Sequence, residues 1–341
     1  MPVDPMGANG PTKAQASGPN WRRTSKGLYV RARVTDNLPE QRILEQSMRL
    51  PTGGAVTGWS ACRLLGANFF DGLDVDGLTR FPVPLSIGEL GQLGETASAC
   101  VRRDRLDTSE VTRRAGVPCT TVLRALFDAV RFAPGVREAV VAIDMMAAAG
   151  LASIRQLVEY IRTRRGWRGV PQVRAAIALA SEHSRSPNET RMKLIWQLDA
   201  GLPRPLMNQP VFDLRGNLLG IADLLDPVAG VVGEYDGADH RSGTRQSKDV
   251  AREHGFRGVA LEFFKVTGPD MRSRRMVANR MTTTRERAKW LAVAERAWTI
   301  EPPPGWKVEM SLDEQLELRA WQVAIYRQQE HDDHPSLSNV G

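Results

Sequence analysis

A chain of 341 residues, 42% apolar and 25% charged, is long enough for two compact domains with tails and has the balance of an ordinary globular protein. No apolar run reaches the ~20 residues a membrane span needs, and the first twenty residues lack a secretory core, so the expected compartment is the cytoplasm with no membrane partner. The net charge of +7 is uneven: residues 1–185 carry 25 basic against 17 acidic side chains, and residues 186–341 carry 21 against 22. A basic N-terminal half favours a polyanion such as DNA, because Lys and Arg displace counterions from a phosphate backbone.

In chain order, residues 1–20 are rich in Pro, Gly, Ala and Ser and read as a disordered arm. Residues 21–183 read as a basic N-terminal domain of short strands followed by helices. Within it, Trp21–Arg31 has the pattern of a charged β-hairpin, equally a DNA-touching wing or a plain edge. Helices are expected at Gln41–Leu50 and Val56–Leu65, with short strands and loops over Phe69–Leu106. Asp107–Val117 followed by Thr120–Leu126, with a turn at Gly116 and an exposed Arg124, fits a helix-turn-helix or two packed structural helices. Val136–Ala149, Ser153–Thr163 and Val170–Glu182 read as helices, with Arg162, Arg164, Arg165 and Arg168 forming a solvated or phosphate-contacting cluster.

Residues 184–295 change in texture, to helix, three strands, helix and strand. The spans are a helix at Asn188–Ala200, strands at Leu206–Phe212, Leu218–Leu225 and Val231–Asp236, a helix at Ser247–Arg257 and a strand at Leu261–Val266. Met271–Val293 is expected as a strongly basic helix. Residues 296–341 read as a linker, an amphipathic helix opened by a Ser311/Glu314 capping box, which could dock a protein partner, and a tail containing His331–His334. Cys62, Cys100 and Cys119 are too scattered for a disulfide frame or zinc site.

The candidate chemistry lies in the third strand and its neighbours. Glu234 and Asp236 are two apart and share a strand face, and the preceding strand brings in Asp223. Carboxylates gathered at a strand end repel one another unless a cation sits between them, and all-oxygen ligands suit Mg²⁺ or Mn²⁺. Glu189, near the start of the preceding helix, completes the proposed ligand set Glu189, Asp223 and Glu234; His240 reads as a base, a ligand or a plain surface imidazole, and Asp236 or His240 would manage the water. Asp213 and Asp226 read as turn residues beside Gly and Pro. Asp249 and Arg252, on the following helix, read as positioning groups or a surface pair.

These residues carry a resemblance. The run Ser186–Thr190, Gly201–Pro203, Asp213–Gly216, Asp223, Glu234–Gly237, His240, Asp249, Arg252 and Phe264–Gly268 resembles an actinobacterial group whose C-terminal domain looks like very-short-patch-repair (Vsr) endonucleases of the PD-(D/E)XK superfamily. The front, with Lys26–Val30 and Thr57–Trp59, is similar to AbiEi-type antitoxins of type IV toxin-antitoxin systems. The resemblance implies an α+β or α/β chain with an αβββαβ nuclease-fold domain, and a metal-dependent DNA endonuclease or a non-catalytic DNA-binding regulator. It matches Asp223 to the first acidic motif, Glu234 to the second and Glu189 to the helix glutamate. Where the superfamily has its lysine this chain has Asp236, leaving Lys248 or Lys265 to take that role. The chain also starts at what would be the wing of an AbiEi winged helix.

Overall fold

A computed structural model describes residues 1–237 and 252–333. The chain is mixed α/β and divides into two compact units, one of residues 1–142 and 156–174, the other of residues 143–155 and 175 onward.

In the first unit, residues 1–20 hold a one-turn helix, α1 (Lys13–Ala16), opened by a Thr12/Gln15 capping box. A hairpin follows, β1 (Trp21–Ser25) and β2 (Leu28–Arg31), as the sequence pattern predicts, turning at Gly27 with φ 76°. Next come α2 (Pro39–Ser47), β3 (Ala55–Val56), α3 (Gly58–Leu65), β4 (Val83–Ser86) and β5 (Ala99–Arg102).

Residues 107–126 do not form a helix-turn-helix. A 3₁₀ turn at Thr108–Glu110 leads into a hairpin, β6 (Val111–Arg114) and β7 (Val117–Thr120), and only then into α4 (Val122–Arg131). The reason is local. Ala115 and Gly116 take φ of 47° and 78°, the left-handed pair that reverses two strands over two residues. The five strands β3–β7 form one sheet, in the order β5-β4-β3-β7-β6.

Arg124, expected on the surface, is fully buried. Its guanidinium binds Glu110 at 2.7 Å and Asp128 at 3.0 Å, and Asp128 also takes Arg131 at 2.8 Å and the Thr57 hydroxyl at 2.6 Å. Arg164 stacks on the Tyr160 ring at 3.5 Å and reaches Glu110 at 2.5 Å, so it belongs to this buried network. Arg162, Arg165 and Arg168 stay exposed.

Helices α5 (Val136–Ala148), α6 (Ile154–Arg162) and α7 (Val170–Leu179) contribute residues to both units. The second unit continues with α8 (Pro187–Leu194), opened by the Ser186 side chain and by Pro187 at its first position. The single helix predicted to Ala200 widens instead into a π turn over Ile195–Asp199.

Then come β8 (Leu206–Asp213), β9 (Leu218–Asp226) and β10 (Val231–Asp236), a helix α9 described over residues 252–258, β11 (Glu262–Thr267), α10 (Arg274–Arg287), β12 (Trp298–Thr299) and α11 (Leu312–Asp333). Asp213 and Asp226 are turn residues as expected: their carboxylates accept from the N–H groups of Arg215 and Asn217, and of Val228 and Ala229. Helix α10 is shorter than its basic run, because Asp270–Arg272 forms a separate 3₁₀ turn and Trp290 takes a left-handed φ of 53°.

The strands of this unit order as β11-β10-β9-β8-β12, antiparallel except for the β10–β11 pair. On one face Met192, Ile195 and Trp196 meet Leu224, Val231, Phe264, Val266, Val277 and Met281, with Trp196 stacked on Phe264 at 6.0 Å. On the other, Phe256 packs on Val211, Ala222, Val232 and Phe263. At about 25 cal/mol per Å² of apolar area buried, two such faces supply the driving force that orders the sheet. They also fix which side each intervening polar residue faces.

Candidate functional site

The alternation along β10 assigns its polar residues. Val231 and Tyr235 belong to the α8/α10 side, Val232 to the α9 side, so Glu234 and Asp236 continue the α9 side beyond the core. β11 is parallel to β10, with Val232 opposite Phe263, Glu234 opposite Lys265 and Asp236 opposite Thr267. Lys265 therefore shares the face of Glu234, and its ammonium lies 3.5 Å from Asp236 Oδ2.

Asp223 sits where regular pairing stops. The β9–β10 ladder ends at Leu224 opposite Gly233, and the next residues in register are Asp223 and Glu234. There the strands part, and Asp223 Oδ2 accepts the Tyr235 N–H at 2.9 Å. On the other side of β9, the pairs Met207–Leu224 and Gln209–Ala222 place Asn208 opposite Asp223. Asn208 has φ 49°, a left-handed conformation that asparagine tolerates better than most residues. The kink changes the phase of the strand: Leu206 and Val211, an odd number of positions apart, both pack on the α9 side.

Glu189, in the first turn of α8, places Oε2 2.9 Å from the Arg185 N–H and 2.7 Å from Asn208 Nδ2. Asn208 thus links Glu189 to the strand position facing Asp223. Burial pushes the Asp223 carboxyl up to about 6; the Tyr235 N–H opposes the rise, the charge of Glu189 adds to it, and Arg252 and Arg185 favour the ionised form. Glu234 is buried and accepts from Arg252 Nη2 at 2.6 Å. The Arg252 stem reaches it across Gly220, where a Cβ would stand 2.8 Å from Arg252 Cγ and Cδ and from Phe256 Cζ.

The predicted residues are thus joined in pairs: Glu189 with Asp223 through charge and Asn208, Glu234 with Arg252, Asp236 with Lys265. Among the described residues, no three His, Cys, Asp or Glu side chains gather closely enough to hold a metal ion between them. Mg²⁺ commonly takes one or two carboxylates and keeps several waters. Glu189 and Asp223 are two carboxylates of that kind, near enough for the charge of Glu189 to raise the Asp223 carboxyl, and a cation would stabilise the ionised form of that raised group. His240, Lys248 and Asp249 lie outside the described residues.

Sequence reasoning missed Asn208, Asn188 and Arg185. Asn188 Nδ2 donates to the Tyr235 hydroxyl at 2.7 Å, tying α8 to β10 beside the site. An asparagine inside a strand, where it is disfavoured, is the signal that could have found Asn208.

In comparisons with known proteins, no family model, curated protein or solved structure matches the chain. Among the described residues, no helix is long and apolar enough to cross a membrane.

Proposed function

We propose that the second unit is a nuclease-type domain of the PD-(D/E)XK kind, similar to Vsr endonucleases, that hydrolyses phosphodiester bonds in DNA with Mg²⁺ or Mn²⁺. The observation that carries the reading is the row of Asp223, Glu234 and Lys265 at one level of three adjacent strands, β9, β10 and β11. The element order, a helix, three antiparallel strands, a helix and a parallel strand, supports it.

Asp223 and Glu189 would hold the metal. Bound there, it would supply Lewis-acid polarisation of a phosphoryl oxygen and a lowered pKa for a water. Glu234, fixed by Arg252, bounds the site on the α9 side and holds negative charge near any cation. Lys265 brings a cation to the place that the superfamily lysine fills from β10, where it would stabilise charge developing on the phosphoryl oxygens. Its loose 3.5 Å pairing with Asp236 leaves the ammonium able to turn to a phosphate.

The test is incubation of the full chain with single-stranded, duplex and mismatched DNA plus Mg²⁺ or Mn²⁺. The reading expects cleavage that is abolished by EDTA and by Asp223→Asn. Cleavage that persists undiminished in Asp223→Ala removes this site from the reaction.

A second reading, a non-catalytic DNA-binding regulator akin to AbiEi-type antitoxins, is favoured by a different observation. Glu234 and Asp236 each already face a protein cation, Arg252 or Lys265, so their charge is balanced without a metal. This reading expects salt-dependent DNA binding in EDTA and no cleavage under any metal condition.

A further inference from the structure

Between α10 and the free edge of β11 lies a cleft of about 450 Å³ lined by Phe263, Lys265, Asn279, Arg280, Thr283 and Arg287. Phe263 and Lys265 belong to the edge of β11; Asn279, Arg280, Thr283 and Arg287 offer N–H or O–H donors from α10.

The cleft belongs to a strongly cationic stretch of the chain. From Asp270 to Lys289 there are seven basic side chains, Arg272, Arg274, Arg275, Arg280, Arg285, Arg287 and Lys289, against Asp270 and Glu286. Two of the seven have structural work. Arg285 binds buried Asp226 at 2.7 Å, and Arg280 binds Asp270 at 2.9 Å and the Lys265 carbonyl at 2.6 Å, which holds α10 against β11.

The others remain exposed. Arg287 is 58% exposed and meets Glu262 only at 3.4 Å; Arg272, Arg274, Arg275 and Lys289 are exposed as well. An exposed ion pair of this kind is worth little and is readily exchanged for a phosphate.

We propose that this groove is where the DNA backbone docks, with Arg287, Thr283 and Asn279 contacting successive phosphates. Helix α10, at 14 residues, is about 21 Å long, enough to follow roughly six phosphates of one strand. Cations continuing past both ends of the cleft favour a polymer over a small anion, and hydroxyl and amide donors between them suit phosphate oxygens. Lys265 borders the groove through its carbonyl, which Arg280 holds, while its ammonium faces Asp236 on the other side of β11, so the groove and the carboxylate site share this strand. The inference rests on the nucleic-acid half of the proposed function and is independent of cleavage.

The experiment measures binding of the full chain to labelled duplex DNA in EDTA across a salt series, by fluorescence anisotropy. Thr283→Glu puts a carboxylate at an exposed position in mid-groove; Thr283→Gln has nearly the same shape without the charge. Thr283→Glu should bind at least about tenfold more weakly than wild type, and Thr283→Gln within about twofold. Arg287→Gln should flatten the slope of log affinity against log salt by about one, the loss of a single phosphate contact. Equal affinity for Thr283→Glu and Thr283→Gln overturns the proposal, as does tight binding to phosphatidylserine vesicles with none to DNA. Because metal is absent throughout, a failed cleavage assay leaves this result standing, and cleavage with unaffected Thr283→Glu binding sinks the groove alone.

Discussion

The Lys265 ammonium lies 3.5 Å from Asp236 Oδ2, although the residue opposite Lys265 in the β10–β11 ladder is Glu234. The side chain leans one pleat along the sheet, toward Asp236 and away from buried Glu234, whose Oε2 Arg252 occupies at 2.6 Å. The basic group of the row is therefore held loosely by one carboxylate and left out of a tighter pair with the other.

Lys265→Met should then lower turnover by roughly two to three orders of magnitude, the scale set by removing one group that stabilises transition-state charge, with DNA affinity falling by less than about tenfold. Asp236→Asn, which frees the ammonium, should retain turnover. Single-turnover kinetics separate the two effects. A loss in Lys265→Met that lies wholly in KM would mean that the lysine only binds.

The raised Asp223 carboxyl gives a pH signature. Its folded value of about 6 exceeds the ordinary 3.8, so the folded state holds the proton more tightly than the unfolded state. The contribution to stability is complete below about pH 4 and is lost as pH rises through 6. Asp223→Asn should therefore be more stable than wild type above pH 6, by about 1 to 3 kcal/mol, and the gap should shrink toward zero near pH 4. Urea unfolding at several pH values measures this. Adding Mg²⁺ at pH 6 should release protons, seen as calorimetric heats that vary with buffer ionisation enthalpy.

Gly220 is a steric requirement of the site. Its Cα hydrogen faces the Arg252 stem and Phe256, where a Cβ would approach to 2.8 Å. Gly220→Ala should cost about 1 to 3 kcal/mol by overpacking and should loosen the Arg252–Glu234 bond. Thermal unfolding reads the first effect. In an Arg252→Ala background, itself destabilised because buried Glu234 loses its partner, the same Gly220→Ala change should cost less if the Arg252 stem is the obstruction.

Asp144 and Lys193 form a fully buried ion pair at 2.8 Å, and Asp144 also accepts from the Ser181 N–H and from the hydroxyls of Ser184 and Thr190. The cluster fixes the start of α8 and with it Glu189. Lys193→Met should cost about 3 to 5 kcal/mol, because it strands a buried carboxylate. The paired replacement Asp144→Leu with Lys193→Met should cost less than either alone, apart from the donors it leaves at Ser181, Ser184 and Thr190. A double-mutant cycle by chemical denaturation decides it.

Trp321 and Leu318 on α11 are 61% and 42% exposed. Trp321→Ser should move stability by no more than about 0.5 kcal/mol, as surface changes do. If that helix docks a protein partner, the same change should abolish co-purification while leaving the melting curve alone.

Much of the second unit was legible from local sequence. The alternation that marks Val231–Asp236 as a strand, the Asp-Gly turn at Asp213–Gly216, and Asp226 beside Pro227 all act within a few residues, and the structure follows them. The position of Glu234 and Asp236 on one face follows from the two-residue period of a strand. Local pattern misled at Asp107–Val117, where two residues able to take positive φ turned an apparent helix pair into a hairpin.

What the sequence could not decide was pairing at a distance. Nothing near Asn208 says that its kink will face Asp223 and grip Glu189, and nothing near Arg124 says that Glu110, from an element before its helix, will join Asp128 in drawing it into the core. Those outcomes depend on strand register and on which cation reaches which carboxylate. A charge is buried only when a partner that the fold brings to it offsets its desolvation, so side-chain type and spacing nominated Asp223 and Glu234, the resemblance nominated Lys265, and the folded sheet alone set them in a row.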